Sequence, residues 1–235
     1  MATTALSPMM QQYRDAKDAC GDALLLFRMG DFYELFHEDA ETAARVLGLT
    51  LTSRDKGDNP IPMAGFPHHQ LEAYIGKLIR AGYRAAVCEQ VEDPKKSKGL
   101  VRREITRVVT AGTVTDDGLL DPRESNYLAA VIADQPPRGK HTGSADVGVA
   151  WVELSTGRFF AASFSADRLD DELARINPAE CLVSDEAPSL PDHMASDLMI
   201  TIRSDWVFAF DTAYETLQKQ RILVQNGSPK GQDDD

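Results

Sequence analysis

The apolar run Leu24 to Met29, closed by Gly30, constrains this chain more than any other stretch of it. Its length and its turn-forming boundary suit a strand buried on both faces. The period then changes: Phe32, Leu35, Phe36, Ala40, Ala43, Ala44 and Leu47 recur at helical spacing as far as Gly48. A buried strand turning at Gly30 into an amphipathic helix is a building unit of an α/β fold. At the junction, Phe32 and Glu34 stand two residues apart. Asp31 and Glu34 have capping-box spacing, so one reading has Glu34 reaching back to the first free N–H groups of the helix. The other is an aromatic wedge with a hydrogen-bonding carboxylate beside it. Spacing alone favours the cap.

Helices and strands alternate along the rest of the chain. Ser7 caps a first helix with Pro8 at its first position, which runs to Cys20 and stops at Gly21. Leu49 to Arg54 reads as a strand and Asp55 to Pro60 as a polar turn. Pro62 to Pro67 reads as a loop, too rich in proline and glycine for regular structure, that either aims His68 at a ligand or merely connects. His69 to Ala81 is amphipathic, with Leu71, Tyr74, Ile75, Leu78 and Ile79 on one face and Gly82 as its stop. Tyr83 to Gln90 and Val101 to Thr110 read as strands. Residues 1–113 are therefore expected to form a mixed β-sheet domain flanked by helices, of undetermined strand order.

Residues 114–126, with Gly118, Pro122 and several acids, read as a linker. Beyond it come a strand at Tyr127 to Ala133 and a hairpin of Asp146 to Leu154 with Arg158 to Phe164 around Ser155-Thr156-Gly157. A helix from Asp167 to Ile176 capped by Ser165, strands at Glu180 to Ser184 and Leu198 to Ile202, and a helix from Asp211 to about Gln218 complete an α/β pattern over residues 127–220. Residues 221–235, polar and ending in three aspartates, read as a disordered tail that leaves the second domain incomplete. An uncovered sheet edge or apolar face is the expected result.

Composition narrows the chemistry. The 235 residues are 43% hydrophobic and 26% charged, ordinary for globular protein, with no apolar run near the roughly 20 residues that cross a bilayer. Cytoplasm is the default location. Cys20, Cys88 and Cys181 lie far apart and the five histidines form no His-Glu-x-x-His, so no metal site is expected. The net charge of −12 is unevenly spread: Met1 to Leu120 holds 15 Lys/Arg against 17 Asp/Glu, Asp121 to Asp235 10 against 20. Within the first half, Lys95, Lys96, Lys98, Arg102, Arg103 and Arg107 oppose a single Glu104. Such a run neutralises phosphates in a nucleic-acid binder and is a solvated face elsewhere.

Longer blocks carry a resemblance. Pro8-Met9-Met10-Gln11-Gln12-Tyr13, Phe27-Arg28-Met29-Gly30-Asp31-Phe32-Tyr33-Glu34-Leu35-Phe36 and Leu49-Thr50-Leu51-Thr52-Ser53-Arg54 open the series. Ile61-Pro62-Met63-Ala64-Gly65-Phe66-Pro67-His68-His69, Val87-Cys88-Glu89-Gln90, Lys98-Gly99 and Arg107-Val108-Val109-Thr110-Ala111-Gly112-Thr113 follow in order. Together they resemble the bacterial MutS mismatch-repair family over roughly Ser7 to Leu217. The resemblance implies a mismatch-recognition domain followed by part of a ribonuclease H-like connector domain. It also implies that Phe32 inserts beside a mispaired base while Glu34 hydrogen-bonds to it, in mismatched double-stranded DNA. Met29, Asp31, Arg54, His68, Arg103 and Arg107 are the candidate backbone or supporting contacts.

DNA mechanics explains those residue types. An apolar side chain pushed between base steps from the minor groove unstacks them at a cost of a few kcal/mol per step. A mispaired base has already lost part of that stacking, so the wedge discriminates through deformability. The carboxylate accepts from a base N–H or, when protonated, donates to a ring nitrogen. Beside ordinary duplex it is repelled by phosphate and serves as a specificity device.

By the same resemblance the connector domain contacts the repair partner MutL. Pairing with a MutS-type dimer partner is expected only where the missing C-terminal domains are present. ATP and Mg belong to the full-length family. In this chain Gly76-Lys77 is followed by Leu78 and Gly139-Lys140 by His141, so no Gly-x-x-x-x-Gly-Lys-Ser/Thr cradle exists and no catalysis or cofactor is expected. Two alternatives stay open: a ribonuclease H-like nuclease using Glu153 or Asp146 on metal, and a protein-interaction fragment that no longer binds DNA.

Overall fold

The computed structural model describes residues 7–53, 60–92, 99–116, 118–133, 146–186 and 198–219. It divides the chain into two units, Met1–Asn126 with Glu153–Arg158, and Tyr127–Val152 with Phe159–Asp235. Both are α/β with mixed sheets. The expected 221–235 tail and all but Pro60 of the polar turn expected at Asp55 to Pro60 lie outside the described residues.

In the first unit, α1 (Pro8–Cys20) begins where the Ser7 hydroxyl accepts from Met10 N at 3.3 Å. There follow β1 (Leu24–Met29), β2 (Phe32–Phe36), α2 (His37–Leu47), β3 (Thr52–Ser53) and β4 (Pro62–Pro67), then α3 (Leu71–Arg80), β5 (Ala85–Gln90) and β6 (Arg103–Val109). The six strands form one sheet in the order β3-β4-β2-β1-β5-β6, parallel only between β1 and β5. Helices cover both of its faces, which is why Leu24 to Phe27 and Ala85 to Cys88 are apolar without alternation. Leu24 and Leu26 pack with Tyr33, Leu35, Ala40, Phe66 and Ile75 on the α2 and α3 side. Leu25, Phe27, Phe36 and Cys88 pack with Met9, Met10 and Tyr13 of α1 on the other.

Three expectations are corrected here. Residues 32–36 are a strand and not the first turns of a helix, because Gly30-Asp31 closes a two-residue hairpin with β1. Gly30 has φ 60° and Asp31 does not share a positive φ, the pattern of a type II′ turn. The helix begins only at His37, itself at φ 54°. Pro62 to Pro67 is likewise a strand rather than a loop: both prolines fall where the ladder with β2 and β3 tolerates a missing N–H. Of the strand expected over Leu49 to Arg54, residues 49–51 are not strand and Thr52–Ser53 are, while Arg54 lies outside the described residues.

Past β6, Val114, Leu119 and Leu120 of the expected linker pack against the first core. The second unit holds β7 (Tyr127–Ala133), β8 (Asp146–Glu153), β9 (Arg158–Ser165), α4 (Leu169–Ile176), β10 (Glu180–Ser184), β11 (Met199–Arg203) and α5 (Phe210–Lys219). Its sheet runs β11-β10-β7-β8-β9, with β10 parallel to both neighbours and the four-residue β8–β9 turn making an antiparallel hairpin. Leu169, Leu173 and Ile176 of α4 seal one face over Ala129, Val131, Val147, Val149 and Cys181. Elsewhere in this unit Ile202 (66%), Trp206 (68%) and Phe210 (77%) are solvent-exposed.

Candidate nucleic-acid interface

Strand geometry brings together what helical geometry would have separated. Successive side chains of a strand point to opposite faces, so Phe32 and Glu34 share one face while Tyr33 and Leu35 enter the core on the other. Phe32 stands at the hairpin tip with 47% of its surface exposed; Phe36, on the same face, is fully buried. Glu34 is half-buried behind Phe32 and lies within a strand, not in the first turn of a helix; α2 has Phe36 at its N-cap. Across the ladders, Phe32 lies between Met29 of β1 and Pro67 of β4, and Glu34 between Phe27 and Gly65.

The tip is held from below and from the side. On the buried face, the Arg28 guanidinium lies 5.4 Å from the Tyr33 ring centroid and 3.8 Å from Glu89, which accepts from the Tyr33 hydroxyl. Burial first, and then Glu89, push the Tyr33 phenol up to about 12. Arg28 Nε donates to the Gly30 carbonyl. The Asp31 carbonyl accepts from His68 N at 2.9 Å, and His68 Nδ1 lies 3.1 Å from it. Asp31 itself is exposed.

The other expected contacts divide. Arg103 lies on the same face as Phe32 and Glu34, but its donors go to the Arg28 carbonyl at 2.7 Å, the Val101 carbonyl at 2.8 Å and Gln12 at 3.3 Å. Its guanidinium sits over the Phe27 ring, 5.1 Å from the centroid. Burial draws that guanidinium below its ordinary value, while Cys88 and Glu34 act the opposite way. Arg107 faces the other side of the sheet. A bulge between Val87 and Cys88 pairs them with Arg107 and Ile105, so Thr106 is skipped and the alternation reverses. Arg107 accordingly meets Glu72 of α3. Arg54, Lys95, Lys96 and Lys98 lie outside the described residues.

Among the described residues, no group of three or more His, Cys, Asp or Glu is placed to hold a metal ion. Glu153 accepts from Thr156 Oγ1 at 2.6 Å within its own turn. No described helix is long and apolar enough to cross a membrane. Gly65 was missed by sequence reasoning, although a glycine two residues before a proline in an otherwise apolar run signals a close backbone approach.

Comparison with known proteins agrees with this architecture. The family profile described as MutS domain I matches residues 7–118, and that described as MutS domain II matches residues 126–226. The DNA mismatch repair protein MutS of Rhodopirellula baltica is 61% identical over 228 residues, covering 92% of this chain and 26% of that protein. The protein of the same name from Methanothrix thermoacetophila is 55% identical over 179 residues, covering 75% and 20%. That from Staphylococcus aureus is 43% identical over 199 residues, covering 83% and 21%. The chain belongs to the MutS family of DNA mismatch repair proteins and carries its domains I and II. It spans between a fifth and about a quarter of the length of the curated relatives it matches.

Proposed function

We propose that domain I of this chain binds mismatched double-stranded DNA, with Phe32 inserted next to the mispaired base and Glu34 hydrogen-bonding to it. One observation carries the reading: an exposed aromatic ring and a carboxylate stand in line on one strand face, at the tip of a braced two-residue hairpin. Insertion costs a few kcal/mol in base unstacking, and less where pairing is already broken, so the preference arises without base-specific readout. Basic residues of the Lys95 to Arg107 run supply salt-dependent, sequence-independent affinity.

Binding of matched and singly mismatched oligonucleotides, titrated at several salt concentrations, tests this. The wild-type chain is expected to bind weakly and to prefer the mismatch by about 1 kcal/mol, roughly fivefold. Phe32→Ala is expected to bind both duplexes equally. A mismatch preference that survives Phe32→Ala removes the wedge from the mechanism.

For domain II we propose contact with the repair partner MutL, a reading supported by the exposed Trp206, Phe210 and Tyr214. In a protein of the relatives' full length, ATP hydrolysis and pairing with a MutS-type partner belong to the regions beyond these two domains.

A further inference from the structure

We propose that β4 is the positioning strand of the reader: Gly65 sets the pose of Glu34, Pro67 that of Phe32, and His68 the pitch of the turn that carries them. This rests on the reading of Phe32 and Glu34 given above. The registers Phe32 to Pro67 and Glu34 to Gly65 give each reading side chain one β4 neighbour on its own face. The bond from His68 N to the Asp31 carbonyl makes residues 31 and 68 a hydrogen-bonded pair. By alternation, Phe32–Pro67 and Glu34–Gly65 are then both non-hydrogen-bonded pairs, the closer kind, with side chains nearest each other.

The two close positions are filled in opposite ways. Pro67 has no N–H to donate, and at this position the ladder asks for none, so a rigid ring stands beside Phe32 without loss of a bond. Gly65 presents bare backbone. A Cβ there would lie 2.9 Å from the Tyr33 carbonyl oxygen, too close for either to stay in place, and in ordinary contact with Glu34 Cγ at 3.5 Å, so any side chain would shift the β2 backbone at the peptide that leads into Glu34 and carry the carboxylate with it. His68 then closes the assembly, with its backbone N–H and its ring Nδ1 both against the Asp31 carbonyl. None of the three needs to touch the bases. They are positioning residues, acting through Phe32 and Glu34.

The test uses this chain with duplexes carrying 2-aminopurine beside a single mismatch, whose fluorescence reports unstacking, together with the ratio of mismatched to matched affinity. Phe32→Ala is expected to bring the ratio to one, which tests the reading itself. Gly65→Ala is expected to lower the ratio severalfold, to that of Glu34→Ala, and to have no further effect when combined with Glu34→Ala. His68→Leu is expected to weaken the fluorescence change, and His68→Asn, whose Nδ2 can replace ring Nδ1 on the Asp31 carbonyl, to restore it. If Gly65→Ala and His68→Leu keep the wild-type ratio while Phe32→Ala loses it, the inference falls and the reading stands. A Gly65→Ala effect of equal size in the Glu34→Ala background assigns it to general folding and also overturns the inference. A wild-type ratio of one overturns the reading and this inference with it.

Discussion

Asp39 shows how one buried carboxylate can hold three elements in place. Its side chain, on α2, is almost wholly buried and receives Lys17 Nζ of α1 at 2.9 Å through one oxygen and Leu25 N of β1 at 2.9 Å through the other. Lys17 also donates to the Ala23 carbonyl at 2.8 Å. Asp39→Ala would strand a buried N–H and leave the ammonium without its counter-charge, at an expected cost of about 3 kcal/mol. Because Lys17 keeps some access to water, the lower end of the range for broken buried pairs applies. Urea unfolding checks this, and a loss below about 1 kcal/mol would show that the pair contributes little.

At the level of elements, arginines 103 and 107 separate two roles that the sequence presents as one. Arg103 ties β6 to the backbone of β1 beneath the hairpin, whereas Arg107 makes a largely solvent-exposed pair with Glu72. Arg103→Ala is expected to destabilise domain I by about 1.5–3 kcal/mol through its charged hydrogen bonds. Arg107→Ala should cost below about 1 kcal/mol, and where Arg107 meets a phosphate it should reduce the salt slope of DNA binding by about 1. Chemical unfolding and salt titration of the two variants would refute the division if their effects were alike. The same elements mark what could be read in advance. The helices α1 and α3 and the buried strands β1 and β5 were legible, because caps and unbroken apolar runs are local signals. The hairpin was legible too, since Gly-Asp between apolar runs is a two-residue turn signal, but a coincident 3.6-residue periodicity in residues 32–47 masked it. The pairing of β4 with β2 and the Thr106 bulge were not legible. Which N–H a proline may omit, and where a register slips, depend on a partner strand distant in sequence.

Across the whole molecule, buried acids of high pKa make stability depend on alkaline pH. Burial pushes the Cys88 thiol up to about 11, burial and Glu180 push that of Cys181 up to about 12, and Tyr33 is raised to about 12. Unfolded, these groups ionise between about 8.5 and 10. From there up to their folded values the unfolded chain binds fewer protons, so stability falls as pH rises, by at most about 1.4 kcal/mol per group per pH unit. Urea midpoints are expected to be flat from pH 7 to 8 and to drop steadily toward pH 10.5, with Tyr33→Phe and Cys88→Ala flattening part of the fall. A midpoint unchanged to pH 10.5 would contradict the burial of these groups. The sheet order carries a mechanical consequence as well. β2 and β1 are the two innermost of six strands, bonded on both sides. A duplex that resists being bent pushes back on whatever bends it, and under the proposed function the recoil would enter the domain at the middle of its sheet, far from either edge strand. On that proposal the blade would hold its angle while the DNA yields.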